Sequence, residues 1–275
     1  MPFRIIAGRN GLFAVLAADT VIARAIEVTG GFAEGEVSLL RALVRPGDTV
    51  VDVGANIGTV SVPLARAIGP AGRLIAIEPQ RATFMCLCAS AVLNGLANIH
   101  PLQEAVGAEF GELPLPSLDL HRPANIGALS LVGATGQERV AVRPLDDLAL
   151  TAVSLIKVDA EGMDWAVLAG GAQTISRCRP AVYVEANRDP VGRADTVRRL
   201  VQDGYRIFWH FARFVEPAFL SPGVEDPFPN VGDINMLALP KERSLPVPLA
   251  PCSGPDANWR DDLATWQAAR AHAAR

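Results

Sequence analysis

The sequence predicts an α/β fold: a mostly parallel, Rossmann-like sheet with helices packed on both of its faces. Short runs of β-branched and aliphatic residues alternate with amphipathic runs along the chain, which is typical of a parallel sheet. The apolar runs are continuous, as expected for strands that are covered on both sides. The predicted strands of the main sheet are residues 49–53, 74–77, 155–158, 181–184, 205–208 and 234–239.

The chain is expected to contain one main domain with a segment at each end. Residues 1–35 have weakly alternating apolar runs between turn signals, which predict a short β segment packed on the domain. Residues 36–240 form the predicted α/β domain, and residues 241–275 form a Pro-rich extension with a helix. Helical spacing of apolar residues is found at residues 35–44, 83–93, 164–168, 195–201 and 259–270.

Composition and charge restrict the classes of function. Half of the 275 residues are apolar and a fifth are charged, which excludes a disordered chain. The net charge of −4 gives no electrostatic reason to expect nucleic acid or an anionic membrane as a partner. The four cysteines lack zinc spacing, charged residues interrupt the N-terminal apolar stretch so that it has no clean signal-peptide core, and no apolar stretch approaches the length of a membrane span. We therefore expect a cytoplasmic enzyme or small-molecule binder.

The strongest functional signal is a glycine turn after the first strand of the main domain. Gly54 and Gly58 lie where the backbone must bend and where a ligand must approach it closely. Glu78 ends the next predicted strand, where a carboxylate can accept both ribose hydroxyls of a nucleoside. The alternative is a purely structural β–α turn with a solvated Glu78.

The spacing of this turn favours S-adenosylmethionine over a dinucleotide. The turn lacks the full G-x-G-x-x-G pattern that lets the backbone approach a pyrophosphate. S-adenosylmethionine has no phosphate, and we expect Asp52 and the amides of the turn, where Asn56 lies, to hold its amino-acid end. A third strand is expected to end near Glu104, whose carboxylate can reach the adenine amino group; an exposed loop carboxylate is the alternative.

Three blocks together resemble the FkbM family of methyltransferases. They are a D-x-G-A-N-x-G turn that begins at Asp52, an I-E-P strand end at Glu78, and a K-x-D-x-E-G block that begins at Lys157. The resemblance implies a class I methyltransferase fold and methyl transfer from S-adenosylmethionine, usually to a hydroxyl of a sugar or natural product. It does not explain residues 211–229 or 241–275, so the acceptor stays open.

Carboxylates at strand ends are the candidate catalytic groups, because a neutral hydroxyl must lose its proton to become a good nucleophile. Asp159 and Glu161 follow one predicted strand, whereas Glu185 and Asn187 end the next. Both pairs should open into the crevice at the carboxyl ends of the strands. They would act as a general base or, through Asp159 and Glu185, as ligands of an Mg²⁺-like ion. The structural alternative for Asp159 or Glu161 is capping of the following helix.

Two further polar residues and one loop are expected near the crevice. Lys157 shares a strand face with Asp159; it could pair with a carboxylate in the core or touch the substrate, and we favour the structural pairing. His210 follows a late strand and is a rival base, although filling an aromatic cluster is the commoner role for such a histidine. Residues 211–229 are aromatic and proline-rich, and they predict a lid or wall that stacks on a sugar or polyketide acceptor.

Two other functions stay open at this stage. A nicotinamide-dependent oxidoreductase would usually need a Tyr–Lys relay, and the sequence has no Y-x-x-x-K. A non-catalytic binding or assembly protein could use the same scaffold, with its Trp-bearing C-terminal extension contacting a partner or a second copy of the chain. The expected partner is a small-molecule or glycan acceptor, with neither nucleic acid nor membrane.

Overall fold

The α/β fold is confirmed by the computed structural model, which describes residues 1–186 and 189–273. An eight-stranded sheet forms the centre, and a two-stranded hairpin and a three-stranded sheet lie beside it. The strands in these ranges are β1 (Phe3–Gly8), β2 (Gly11–Leu16), β3 (Thr49–Val53), β4 (Arg73–Ile77), β5 (Ile99–Leu102), β6 (Ala105–Gly107), β7 (Gly111–Pro114), β8 (Arg139–Pro144), β9 (Leu155–Val158), β10 (Ala181–Glu185), β11 (Tyr205–Arg213), β12 (Gly232–Pro240) and β13 (Ala250–Pro251). The α-helices are α1 (Ile22–Thr29), α2 (Glu34–Arg41), α3 (Ser61–Ile68), α4 (Arg81–Leu93), α5 (Asp164–Gly170), α6 (Ala172–Cys178), α7 (Pro190–Gln202) and α8 (Trp259–Ala273).

The strand order of the main sheet places the functional crevice. The order is β13-β11-β12-β10-β9-β3-β4-β5, in which β10, β9, β3, β4 and β5 are parallel and β12 is antiparallel to both of its neighbours. The chain order reverses between β3 and β9, and ligands of open α/β sheets bind outside the carboxyl ends of the strands at such a point. Gly54 follows β3 and Asp159 follows β9, so both lie at this reversal.

Helices cover both faces of the sheet, as predicted. Successive strand side chains point to opposite faces, so Val50 packs with α1 to α4 whereas Val51 packs with α5 to α8. Both valines are fully buried, and burial of such a side chain stabilises the fold by about 1.5–3 kcal/mol. The rigid double-sided core holds the carboxyl ends of β3 and β9 at a fixed separation.

The segments at the two ends of the chain pack onto the main sheet. Residues 1–35 contain the β1–β2 hairpin, whose Ala14 amide donates to Ser90 Oγ of α4 at 3.1 Å, and also the helix α1. Residues 241–275 contribute the edge strand β13 and the helix α8. Trp209 Nε1 donates to the Asp262 carboxylate of α8 at 2.8 Å, so the extension is tied to the sheet.

One of two strand-end predictions differs from the structure. The third strand of the main sheet is β5, which ends at Leu102, near Glu104 as expected, and the chain then turns so that β6 pairs with β8 in the three-stranded sheet. The prediction that His210 follows a strand was wrong, because β11 continues to Arg213 and His210 faces Asn235 across the β11–β12 ladder. The length of β11 depends on its pairing with β12, which is distant in sequence.

Two smaller observations complete the fold. Every helix among residues 1–186 and 189–273 is too short or too polar to cross a bilayer. The cysteines are free thiols, as the sequence predicts.

Candidate active site

Two cavities meet at the carboxyl ends of β3 and β9. The Glu78 cavity, of about 680 Å³, is lined by residues that include Glu78 and Glu104. The Glu36 cavity, of about 740 Å³, is lined by residues that include Glu36 and Phe214. The residues that line both cavities, and so form the junction between them, are Gly54, Asn56, Gly127, Asp159 and Glu161.

Glu78 is anchored to the glycine turn. Its Oε2 accepts the backbone amide of Asn56 at 3.0 Å, and its Oε1 accepts the amide of Gln80 at 2.9 Å. Only 6% of Glu78 is exposed, and burial raises the pKa of its carboxyl to about 7 against the opposing effect of the two amides. The solvated alternative is therefore wrong. Each oxygen still has a lone pair that can accept a ligand hydroxyl.

Glu104 also lines the Glu78 cavity. Its Oε2 pairs with Arg143 Nε at 2.8 Å, whereas its Oε1 is buried without a hydrogen-bond partner among the described residues. A buried acceptor that no protein group satisfies points to a ligand donor, and an adenine amino group would supply one. Because Glu104 is buried, the alternative of an exposed loop carboxylate is wrong.

The Glu78 cavity has an apolar cover that the sequence analysis missed. The segment between β7 and β8 places Ile126, Leu129 and Leu131 on the cavity. Two contacts tie this segment down: Thr20 N donates to Ala124 O at 3.0 Å, and Gln80 Nε2 donates to Pro116 O at 3.1 Å. The detectable signal was a group of apolar residues inside a polar, glycine-containing stretch. Such a cover can exclude water from one face of a bound nucleoside.

Gly54 lines both cavities, and its side-chain position is blocked by the neighbouring strand. A Cβ at Gly54 would lie 1.8 Å from the carbonyl oxygen of Asp159, and the φ angle is +75°. Gly58 lies away from both cavities, where a Cβ would meet Leu87 Cδ1 at 3.1 Å. The expectation that Gly58 faces the cofactor is therefore corrected: it serves the packing of the turn on α4.

Asp52 also lies away from the linings of the two cavities. It is fully buried, its Oδ2 accepts Ser61 Oγ at 2.6 Å, and its Oδ1 lies 3.6 Å from Lys157 Nζ without a hydrogen-bond partner among the described residues. That Asp52 holds the amino-acid end of the cofactor stays a prediction. Asn56, in contrast, adopts a left-handed conformation and lines both cavities.

Lys157 is a buried ammonium between carboxylates. Its Nζ lies 3.3 Å from both Asp159 Oδ2 and Gly54 O, in addition to its contact with Asp52. Burial lowers the pKa of Lys157, but the carboxylates of Asp159, Asp52 and Glu36 outweigh it, and the net pKa is raised. Lys157 therefore stays charged, and the expected structural pairing is confirmed.

Glu36 is a buried carboxylate of the site that was not predicted from the sequence. It is 8% exposed and lines the cavity that carries its name. Burial raises the pKa of its carboxyl to about 8; Lys157 opposes this shift, and Asp159, Asp233 and Asp52 add to it. The signal was present in the helical pattern, because Glu36 is a carboxylate at the same spacing as buried leucines of α2.

Asp159, Asp164 and Glu185 form an acidic group at the ends of β9 and β10. Their carboxylate oxygens lie within 4.8 Å of one another, so the structure brings Asp159 and Glu185 together as expected. Asp164, which was missed, accepts the amides of Ala160 at 2.7 Å and Gly162 at 3.1 Å. Asp164 thus holds the turn before α5, whereas the alternative considered for Asp159 or Glu161 was capping of that helix, which has no side-chain cap hydrogen bond at its N-cap. Asn187 lies outside the described residues.

His210 lies beside Tyr183 of β10. Tyr183 Oη lies 2.7 Å from its Nδ1, and the ring centroids are 5.8 Å apart. Burial lowers the pKa of His210 to about 4, so the ring is neutral at physiological pH. His210 lines neither of the two cavities, and its role as a rival base stays a prediction. Its contact with Tyr183 fits the aromatic-cluster alternative.

The model of the methyltransferase FkbM domain matches residues 52–207, more than half of the chain. The chain belongs to the FkbM methyltransferase family. This membership implies S-adenosylmethionine as the cofactor. A search of the proteins with curated functions finds no match.

A solved structure of the same family name shows the same fold. This FkbM chain is similar to methyltransferase FkbM from Methylobacillus flagellatus KT, with 19% identity, a TM-score of 0.52, and coverage of 78% of this chain but only 50% of the other. A weaker similarity is to a SAM-dependent O-methyltransferase from Thermotoga maritima, with 14% identity, coverage of 88% of this chain and 80% of the other, and a TM-score of 0.45. Another is to fibrillarin from Aeropyrum pernix with natively bound S-adenosyl-L-methionine, with 13% identity, coverage of 86% of this chain and 94% of the other, and a TM-score of 0.43.

The residues of the FkbM domain fit the adenosine part of S-adenosylmethionine. Glu78 presents a buried, anchored carboxylate to the cavity lining, and Glu104 has an acceptor oxygen without a partner among the described residues. The apolar cover of the same cavity provides a surface for a flat base. The amino-acid end would extend past Gly54 to the junction of the two cavities.

One aromatic residue of the segment 211–229 lines the Glu36 cavity of the FkbM domain. Phe214 forms part of this wall, with Phe32 at a ring-centroid distance of 5.1 Å. Phe211 instead stacks on Trp259 at 6.2 Å, and Phe219 lies under the guanidinium of Arg9 at 4.2 Å. The segment therefore contributes a wall through Phe214, and its remaining aromatic rings pack against the protein.

Proposed function

We propose that this FkbM-family chain transfers the methyl group of S-adenosylmethionine to a hydroxyl of a sugar or natural product. The observation that carries the proposal is the junction of the two cavities. A cavity lined by Glu78 and Glu104 meets a second cavity with carboxylates and an aromatic wall, and Gly54 and Asp159 line both. A cofactor and an acceptor could therefore meet end to end.

When bound, S-adenosylmethionine supplies an electrophilic methyl group on a sulfonium. Glu78 would accept the ribose hydroxyls, and Glu104 would accept the adenine amino group. Asp159 lies at the junction, so it would orient the acceptor hydroxyl toward the methyl carbon. In-line positioning of this kind can supply about 7–11 kcal/mol of a reaction barrier.

The wall formed by Phe214 and Phe32 supports a sugar or polyketide acceptor. An aromatic face can stack on the apolar face of a sugar ring, while nearby carboxylates accept its hydroxyls. The Glu36 cavity offers such acceptors through Asp159 and Glu185. These features favour a polyhydroxylated, flat or ring-shaped acceptor.

A divalent cation would be a second route to activation of the hydroxyl. Asp159, Asp164 and Glu185 place oxygen ligands of the kind that Mg²⁺ prefers near one point. Asp164 uses both of its oxygens to accept backbone amides, which leaves it less capacity for a metal. The two routes differ in their response to a chelator.

Methyl transfer from radiolabelled S-adenosylmethionine to a panel of methyl glycosides and phenols tests the proposal. Calorimetry should detect binding of S-adenosylmethionine and no binding of NAD. Asp159→Asn should lower the transfer rate and leave cofactor affinity nearly unchanged. Loss of activity in EDTA with recovery in Mg²⁺ would select the metal route, and indifference to EDTA would select a direct base. Binding of NAD instead of S-adenosylmethionine would contradict the proposed function.

A further inference from the structure

Glu36 has an unusual position for a carboxylate. It lies in the first turn of α2, is buried from bulk solvent, and lines the cavity proposed to hold the acceptor. Within residues 1–186 and 189–273, its carboxylate has neither a hydrogen-bond donor nor a salt-bridge partner, although Lys157 acts on it electrostatically. Burial of a carboxylate without a donor is unfavourable, which indicates that a ligand group completes it.

The other carboxylates of the crevice with described contacts are already engaged. Asp159 pairs with Lys157, and Glu78 accepts two amides. Glu104 pairs with Arg143 and lines the Glu78 cavity rather than the Glu36 cavity. Glu36 thus combines a place in the acceptor cavity with the capacity to take a proton.

We propose that Glu36 is the general base for the acceptor hydroxyl, an inference that rests on the proposed function. The acceptor O–H bond breaks as its proton moves to a carboxylate oxygen of Glu36. The acceptor oxygen forms a bond to the methyl carbon, and the carbon–sulfur bond breaks with its electron pair retained by sulfur. The sulfonium becomes a neutral thioether, and Glu36 later releases its proton through the cavity to solvent.

The surroundings of Glu36 suit this role. Burial raises the pKa of its carboxyl to about 8, and a base is most efficient when its pKa is near the working pH. Lys157 is held in place by its own partners and stabilises the ionised form of Glu36. The titratable groups that act on Glu36 or share its cavity are Lys157, Asp159, Asp52, Asp233, Tyr183, Glu161 and Glu185.

The test compares Glu36→Gln with Glu34→Gln, a matched substitution in the same helical turn. Glu34 accepts Asn10 Nδ2 at 2.8 Å and lies outside the two cavity linings. In Glu36→Gln, kcat should fall by about 10²- to 10⁴-fold, the usual loss for a general base. Binding of S-adenosylmethionine and thermal unfolding should stay close to wild type. Glu34→Gln should keep wild-type kcat.

The pH dependence supplies a readout that a structural role would not move. Only ionised Glu36 can accept a proton, so wild-type kcat should rise as the pH increases through about 8, and this rise should vanish in Glu36→Gln. Glu36→Asp, which keeps the carboxylate, should recover part of the rate and serves as the second variant if Glu36→Gln folds poorly.

Near-wild-type kcat in Glu36→Gln would overturn the proposal. Loss of cofactor binding in that variant would also overturn it, since Glu36 would then hold the cofactor. A wild-type enzyme that binds S-adenosylmethionine but methylates none of the panel would contradict the proposed function itself, and the role of Glu36 with it.

Discussion

The carboxylate of Glu78 accepts the backbone amide of Asn56 at 3.0 Å, so the end of β4 holds the turn that follows β3. Asn56 adopts a left-handed backbone conformation, which is sparsely populated for residues other than glycine. The contact therefore has two consequences: it fixes the turn, and it holds the Glu78 carboxylate in the lining of the Glu78 cavity. Substitution of Glu78 should affect cofactor affinity through both.

Glu78→Ala should weaken binding of S-adenosylmethionine by about 1–3 kcal/mol, the range for hydrogen bonds to charged groups. Titration calorimetry measures this change directly. Glu112→Ala is the control, because Glu112 is an exposed carboxylate in β7 whose described partner is Arg139. An unchanged affinity in Glu78→Ala would contradict the ribose assignment.

Glu104 should discriminate between adenine and hypoxanthine. Its Oε1 can accept the amino group of adenine, whereas the carbonyl of hypoxanthine would place two acceptors against each other. Wild-type protein should therefore bind S-adenosylhomocysteine more tightly than S-inosylhomocysteine, and Glu104→Gln should reduce this preference. Calorimetry with the two ligands provides the measurement. Equal affinity of the wild-type protein for both would show that Glu104 does not contact the base.

Gly54→Ala should destabilise the protein, because the added Cβ would meet the backbone of Asp159. The left-handed conformation alone costs a residue with a side chain about 1–2 kcal/mol, and displacement of β9 adds to it. Gly111→Ala is a matched control, since nothing lies within 4 Å of the Cβ position there. Unfolding in urea should show a loss of stability for Gly54→Ala alone. Equal stability of the two variants would mean that β9 can shift freely at the crevice.

The sequence predicted the parts of the fold and site that depend on local patterns. Continuous apolar runs identified β3, β4, β9 and β10, and the strand ends that follow them carry Gly54, Glu78 and Asp159. Parallel strands bring their carboxyl ends to one edge, so these residues converge whatever the details of packing.

The features of the site that were not predicted depend on contacts between distant segments. The direction of the Asp52 side chain depends on Ser61 and Lys157, which lie in other elements. Glu36 is separated in sequence from the motifs, and only the packing of α2 on the sheet places it in the cavity. A carboxylate at an apolar helical position was the detectable signal.

Phe214 should determine how well the acceptor binds, because it lines the Glu36 cavity, away from the predicted adenosine site. Phe214→Ala removes one aromatic face of the wall, and such a loss should raise KM for the acceptor with little change in cofactor affinity. Phe211→Ala is the matched control: it lies on the same chain segment but stacks on Trp259, at 6.2 Å and an interplanar angle of 9°. Steady-state kinetics with a methyl glycoside, together with calorimetry of the cofactor, separate the two effects. A higher KM in Phe214→Ala but not in Phe211→Ala supports the wall. Equal changes in both variants would instead indicate that the whole segment acts through folding stability.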